Sequence, residues 1–435
     1  MISLYPHQRK ILEDTKPLNR VAYYLDMGLG KTFVGSEKAA SFPNKILVIC
    51  QKSKVQDWID HFREHYPLTV FDLTNKNQLE EYSGTVGKCV GVINYDLVFR
   101  RSYFSHITGF TMMLDESSII QNENAKRSKF ILKMNPENVI LLSGTPTAGK
   151  YENLWSQLHL LGWNITKKRY WEHYVDVEWI EDGESGFKIR HVIGYKNVDR
   201  LKAKLAEYGA VFMKSDEAFE LPEQIDIPVM VSTSKQYKQF MKHSLVKVKK
   251  LDANIAEWDT GIETELIGDS TLTKRLYARM LCAQYSKEKI QAFEDLIFST
   301  EERLIVFYNF NEELSLLWQT ALKKTPHLSL VNGNRKDLQN YSLYDDSITF
   351  CQYQAGAMGL NLQLASRICY FSLPERSELF EQSKKRIHRI GQEKTCFYHY
   401  LLCRNSVEMD ILDTLKMRKD YTDDLFDNYA KRNGC

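Results

Sequence analysis

One short segment limits the possible folds of this chain more than any other. It is Asp26-Met27-Gly28-Leu29-Gly30-Lys31-Thr32, set between a strand-like apolar run, Arg20–Leu25, and a helix-like stretch, Thr32–Ala40. A glycine-rich turn that leaves a strand and opens a helix points backbone N–H groups at one spot, where the helix N-terminus adds partial positive charge. That arrangement suits phosphate oxygens. Within it Lys31 would reach the β- and γ-phosphates of ATP, and the Thr32 hydroxyl would bind Mg²⁺. Met27, Gly28, Leu29 and Gly30, with Lys31 and Thr32, are therefore the candidate nucleotide contacts. The strict pattern asks for glycine at position 25, where this chain has Leu25, and glycine turns before helices also occur without a ligand.

The rest of the composition narrows the class. A length of 435 residues suits about three ordinary domains or two large ones. With 43% hydrophobic and 26% charged residues, the chain is expected to fold rather than remain disordered. Fifty-eight Lys and Arg against 56 Asp and Glu leave a formal charge of +2, which excludes a globally cationic nucleic-acid binder. Any polyanion must then be held by a local groove. The eight cysteines include no CxxC pair, and several sit in apolar strand-like runs, where a thiol behaves as a small hydrophobe. This argues against a disulfide framework or zinc ribbon and for a reducing cytoplasm. Apolar runs such as 46–50 and 139–142 are far too short to span a membrane, and the opening residues lack the pattern of a secretory signal.

Short β-branched runs alternate with helical stretches through the first 150 residues. The strand-like runs are 20–25, 45–50, 89–94, 111–114 and 139–142; the helical ones include 32–40, 55–64 and 125–132. Strands apolar on both faces predict a mostly parallel sheet covered by helices. Residues 150–215 are rich in aromatics and helical patterns. Trp155, Trp163, Trp171 and Trp179 recur every eight residues, which predicts packing between helices. Residues 235–250 hold six lysines and His243 with no acid; Tyr237, Phe240, Met241, Leu245 and Val248 fall at helical spacing among them. A one-sided basic helix of this kind fits a DNA-facing surface and a solvated face equally well. The α/β alternation resumes at 303–308, 327–331, 347–352 and 367–371, and a helical tail is expected around 406–426.

Two further segments complete a candidate catalytic set. The apolar run Thr111–Leu114 delivers Asp115 and Glu116 at its C-terminal end, beside where a phosphate loop lies in a parallel sheet. Asp115 would hold Mg²⁺, and Glu116 would orient and deprotonate the attacking water. Arg386 and Arg389 lie three apart, which on a helix puts both guanidinium groups on one face. An arginine finger that stabilises the γ-phosphoryl group in transfer is worth ~10³–10⁵ in rate. An isolated basic cluster also occurs as a plain surface helix.

Taken in order, these residues resemble the Swi/Snf-like DNA translocases of helicase superfamily two. Leu4-Tyr5-Pro6-His7-Gln8 is similar to the family's Q-motif, with Gln8 reading the adenine edge, and residues 26–32 resemble motif I. The stretch 46–58 resembles motif Ia, 92–95 a further DNA-contacting motif, Asp115-Glu116 motif II, Ser143-Gly144-Thr145-Pro146 motif III, and Glu152-Asn153-Leu154-Trp155 the segment after it. Later, 306–310 resembles motif IV, 355–362 motif V and 386–392 motif VI. Two departures stand out: Ser118 replaces the histidine usual in motif II, which bears on coupling, and Gln354 stands where the family often has arginine.

The resemblance implies an α/β protein of two RecA-like lobes with parallel sheets and helical insertions. Lobe 1 would be residues 1–222, with an insertion at about 150–215. Lobe 2 would be 223–435, with an insertion at about 235–295 and a C-terminal helix. It implies a DNA-dependent ATPase, a bare motor that tracks along duplex DNA, monomeric, sequence-independent and without membrane attachment. Lys31, Asp115, Glu116, Arg386 and Arg389 would be catalytic, while Lys52, Ser53, Asn94, Asn309, Gly356 and Asn361 would meet DNA phosphates. A partner nuclease or a replication or recombination protein is compatible with it. The setting expected is the cytoplasm of a prokaryote or a virus-infected host. Two rival readings stay open, a strand-separating DNA or RNA helicase and a nucleotide-switch adaptor.

Overall fold

The computed structural model describes residues 3–181, 188–249, 263–356 and 360–432. The chain divides into two compact units, whose main bodies are Met1–Phe219 and Glu220–Lys419.

The first unit is built on six strands from its opening half: β1 (Arg20–Leu25), β2 (Lys45–Cys50), β3 (Val70–Asp72), β4 (Val90–Asn94), β5 (Phe110–Asp115) and β6 (Asn138–Ser143). An outlying hairpin, β7 (Val175–Glu181) with β8 (Lys188–Tyr195), comes next, and β9 (Ala210–Met213) closes the sheet. The sheet order is β3-β4-β2-β5-β6-β1-β9, and every pairing in it is parallel.

Side-chain alternation splits each strand between two cores. Val21, Tyr23, Ile46, Val48, Met113 and Ile140 pack on the face that carries Ile11, Val34, Trp58 and Phe62. Ala22, Tyr24, Leu47, Ile49, Met112 and Leu141 pack on the face that carries Leu154, Leu158, Tyr170 and Leu205. With ~1.5–3 kcal/mol for each large apolar side chain buried, a one-residue register slip would exchange two complete cores. The helices on the first face are α1 (Pro6–Asp14), α2 (Lys31–Ser41) and α3 (Val55–His65).

In the second unit the strands are β10 (Gln224–Val231), the hairpin β11 (Leu245–Lys249) and β12 (Glu263–Ile267), then β13 (Leu304–Tyr308), β14 (Leu328–Val331), β15 (Lys336–Asp337), β16 (Ile348–Gln352), β17 (Arg367–Tyr370) and β18 (Cys396–Cys403). Its sheet runs β10-β18-β17-β13-β16-β14-β15, parallel except where β15 turns back on β14. It too has a core on each face. The expected class, α/β with two parallel-sheet lobes, is met.

Three local expectations change. Both insertions carry a β-hairpin as well as helices. Trp155, Trp163 and Trp171 pack against the core as the spacing suggests, but Trp179 lies on β7 and is 56% exposed. The lysine-rich run is not one helix. It is helical over Lys235–His243, turns at Ser244 with φ 54°, and continues as β11, so Val246 and Val248 are buried with period two while Leu245 is exposed. The seven cysteines among the described residues are all buried free thiols. Among the described residues no helix is long and apolar enough to cross a membrane.

Candidate nucleotide site

The first unit gathers its candidates at the C-terminal ends of β1, β5 and β6. After β1 the chain turns through Gly28 (φ 88°) and Gly30 (φ 76°), left-handed conformations that favour glycine, and enters α2 at Lys31. Gly30 has a second reason. A Cβ there would sit 2.2 Å from Gln8 Nε2. Gln8, 3% exposed on α1, donates to Leu29 O at 3.0 Å and accepts the Tyr5 N–H at 2.9 Å; a ring nitrogen of His7 lies 3.2 Å from the same Leu29 O. The glutamine is thus locked onto the loop.

The other side of the loop is held by Asp26. It accepts the Met27 N–H at 2.8 Å and the Ser215 hydroxyl at 2.9 Å, while Asp26 N–H donates to Met213 O at 2.9 Å. Lys31 Nζ donates to the carbonyls of Leu25 at 2.8 Å and Asp26 at 3.2 Å, so its ammonium rests on its own loop. The same ammonium would lie 3.2 Å from a Cβ at Gly144, which places the Ser143-Gly144-Thr145 turn against the lysine. Thr32 is half-buried in the first turn of α2.

Asp115 closes β5. Its Oδ2 accepts the Trp58 indole N–H at 2.9 Å, and its backbone carbonyl accepts the Tyr95 hydroxyl at 2.9 Å. Burial pushes the Asp115 carboxyl up from its ordinary range; the Trp58 hydrogen bond and the nearby Lys31 charge pull it back. Glu116 follows with φ 54°, an unusual backbone for a residue with a Cβ, and Ser143 Oγ lies 3.5 Å from its Oε2. Thr32 Oγ1 and the Asp115 carboxylate are hard oxygen donors, the kind a Mg²⁺ ion takes.

A buried amide then ties motif II to motif III. Gln157 Oε1 accepts the Ser117 hydroxyl at 2.7 Å and the Tyr24 hydroxyl at 2.9 Å, and its Nε2 donates to Pro146 O at 2.8 Å. Asn153 adds a second tie, from its Nδ2 to Gln121 Oε1 at 3.0 Å and Thr147 O at 2.9 Å. Ser118 is itself buried. Gln157 and Ser215 carry no local signal, because their partners lie far away in sequence. Trp58 and Tyr95 fall within the stretches that resemble motif Ia and the next DNA-contacting motif, which is the available hint for both.

The remaining candidates are more scattered. Lys52 and Ser53 are exposed just after β2. Asn94 is buried at 4%, where its Oδ1 caps the helix Tyr95–Val98 by accepting the Asp96 and Leu97 N–H groups at 3.0 Å. In the second unit, Asn309 Nδ2 donates to Ser372 Oγ at 2.8 Å and Leu373 O at 3.1 Å. Gly356 lies in the helix Tyr353–Gly356, while Ala357, Met358 and Gly359 of the motif V stretch lie outside the described residues.

Arg386 and Arg389 do not share a helix face. The helix Ser377–Lys384 ends before them, and both sit in the turn that follows. Ile387 and His388 are buried between them, and Gln392 Nε2 donates to Ile387 O at 3.3 Å and Ala365 O at 2.8 Å, which fixes the turn. Arg386 is 6% exposed and donates to Leu360 O at 3.2 Å; Arg389 donates to Asn361 Oδ1.

The SNF2-related domain family matches residues 23–287, more than half of the chain. The chain is 23% identical to the mouse protein named SWI/SNF-related matrix-associated actin-dependent regulator of chromatin subfamily A member 1, over 91% of this chain and 40% of that protein. It is 22% identical to the Mycoplasma genitalium protein named uncharacterized ATP-dependent helicase MG018, over 91% of this chain and 39% of that one. It therefore spans about two fifths of the length of these relatives. A solved structure titled Sulfolobus solfataricus SWI2/SNF2 ATPase core in complex with dsDNA aligns over 97% of this chain and 92% of that one, with a TM-score of 0.43 and 18% identity. The chain belongs to the SNF2-related domain family.

Proposed function

We propose that this protein is a DNA-dependent ATPase that hydrolyses ATP to ADP and phosphate and uses the energy to move along duplex DNA. The observation that carries the reading is the convergence, within the first unit, of the Lys31 ammonium, the Asp115 carboxylate and the Ser143-Gly144-Thr145 turn on one glycine-rich loop. Backbone N–H groups of residues 27–32 take the phosphates, and Gln8 meets the adenine edge by giving up its bonds to Leu29 O and the Tyr5 N–H. Lys31 exchanges its two carbonyl partners for phosphate oxygens, a stronger charge-assisted contact. Magnesium bound by Thr32 and Asp115 would neutralise charge on the phosphate oxygens. Glu116, on its left-handed backbone beside Ser143, orients and deprotonates the attacking water. Arg386 and Arg389 supply positive charge to the phosphoryl group in transfer.

Lys52, Ser53, Asn94, Asn309, Gly356 and Asn361 are proposed to face DNA phosphates, which specify no sequence and make binding fall steeply with salt. For Asn94 and Asn309 such contacts require giving up the hydrogen bonds they now make. Residues 1–222 and 223–435 are proposed as the two lobes of the motor. Relatives named for chromatin regulation and for helicase activity agree with a nucleic-acid motor of this kind.

ATP hydrolysis measured with duplex, single-stranded and branched DNA and with RNA tests the reading. Duplex DNA should stimulate turnover most, and triplex displacement on duplex should proceed without fork unwinding. A basal rate indifferent to every nucleic acid would leave only a nucleotide switch.

A further inference from the structure

The lysine-rich run that opens the second unit separates into two parts once folded. On the hairpin, Lys247 and Lys249 stand opposite Glu265 and Glu263, so each has a carboxylate across the strand pair. On the helix Lys235–His243 the lysines have no carboxylate paired across from them. Lys235, Lys238 and Lys242 are exposed, and among the described residues none lies within ion-pair distance of a carboxylate. Lys238 and Lys242 are four apart on one face, a like-charge pair that destabilises a helix by ~0.2–0.5 kcal/mol.

The helix places these two ammonium groups on the rim of a cavity of about 540 Å³. Arg404, exposed just past β18, is the third cation on its wall and is also without an ion pair among the described residues. Ser232, Thr233 and Asn405 add neutral donors. Glu288 is the acid beside it: its carboxylate accepts the Ser232 N–H at 2.8 Å and is held below its usual range first by that bond, then by Arg404 and Lys238. The lining leaves one exposed apolar side chain, Met241, because Tyr237 is buried. Three cations set among hydroxyl and amide donors match the way proteins hold phosphodiester backbones.

We propose that the face formed by Lys238, Lys242 and Arg404 is a second docking site for the phosphate backbone of duplex DNA, outside the residues that resemble the motor motifs. The inference rests on the duplex-DNA reading above. The site reads no bases, adds to affinity through released counterions, and anchors the second unit at phosphates beyond those held by the motor contacts.

The test is a salt titration of binding to a short labelled duplex, followed by anisotropy, with the full chain and no nucleotide. The double variant Lys238→Ala/Lys242→Ala should flatten the log–log salt slope by about 2 and weaken binding at 0.1 M salt by on the order of tenfold to hundredfold. The control Lys76→Ala/Lys133→Ala removes the same charge from exposed positions of the first unit and should leave the slope unchanged. DNA-free ATP hydrolysis should be the same in both variants. If wild type binds duplex and the Lys238/Lys242 variant keeps the wild-type slope, the docking site is wrong while the motor reading stands. An equal loss in the control overturns it in the same way. If wild type binds no duplex at all, both readings fall.

Discussion

Glu116 illustrates how much depends on single side chains. Its backbone is left-handed, the Ser143 hydroxyl lies 3.5 Å from its carboxylate, and the proposed mechanism makes it the base that activates water. Glu116→Gln keeps the shape and removes the base, so it should abolish turnover, ~10²-fold or more, while still binding ATP. Lys31→Ala should lose turnover as well. A steady-state rate beside a nucleotide-binding titration checks both, and near-normal hydrolysis by the Glu116 variant would refute its role. The residues of the loop and the acidic pair were legible in the sequence because each is contiguous and its chemistry is carried by residue type. Trp58 and Ser215 were not recognised as contacts, since the separations to Asp115 and Asp26 are 57 and 189 residues and only folding closes them.

Between elements, the ties are buried amides and carboxyls. Gln157 joins β1, the acidic loop and the turn after β6 through three hydrogen bonds. Gln157→Leu fills the space but leaves the Tyr24 and Ser117 hydroxyls and the Pro146 carbonyl without their amide partner, at about 1–3 kcal/mol each. Denaturant unfolding should show this loss, and DNA stimulation of ATP hydrolysis should fall more than basal hydrolysis does. Equal stability would show that water or neighbours replace the amide.

Glu313 of the second unit predicts a pH effect. Burial raises its carboxyl from 4.5 to about 7, although the Asn309 N–H and the Ser372 hydroxyl oppose the rise. Between those values the folded chain holds a proton that the unfolded chain has released, so stability falls as pH rises through the window and levels off above about 7. Below 4.5 both states are protonated and the difference vanishes. Wild type should lose on the order of 3 kcal/mol relative to Glu313→Gln between pH 4.5 and 8. A gap that stays constant with pH would contradict this.

The same scale shows what the sequence reading reached. The central strands were recognisable because both faces are apolar over five or six residues. β10 escaped notice because it is an edge strand with alternating exposure and Pro228 inside it. The hairpin of β11 and β12 is hidden because β11 shares its lysines and spacing with the helix before it, and only the turn at Ser244 separates them.

At the scale of the whole molecule, the chain is built on two seven-stranded sheets, parallel but for β15, each enclosed by its own cores. The proposed motor needs residues of both: the phosphate loop is on the first unit and Arg386 and Arg389 are on the second. Arg389→Ala should keep ATP affinity within several-fold and lose DNA-stimulated turnover, measured by nucleotide titration and by ATPase with and without duplex. Undiminished stimulation would remove the arginine from the mechanism. The replacement of the usual histidine by Ser118 left coupling as the open question at the level of sequence, and the Gln157 network is the physical feature that bears on it.

The clasp of Asp26 by Ser215, with β9 laid along β1 beside it, has a consequence for biogenesis. The glycine turn leaves the ribosome early, yet one wall of its cradle is encoded almost two hundred codons later. A nascent chain that has emerged only through β6 presents the turn with that wall missing, and acquires the finished pocket when residues 210–215 arrive.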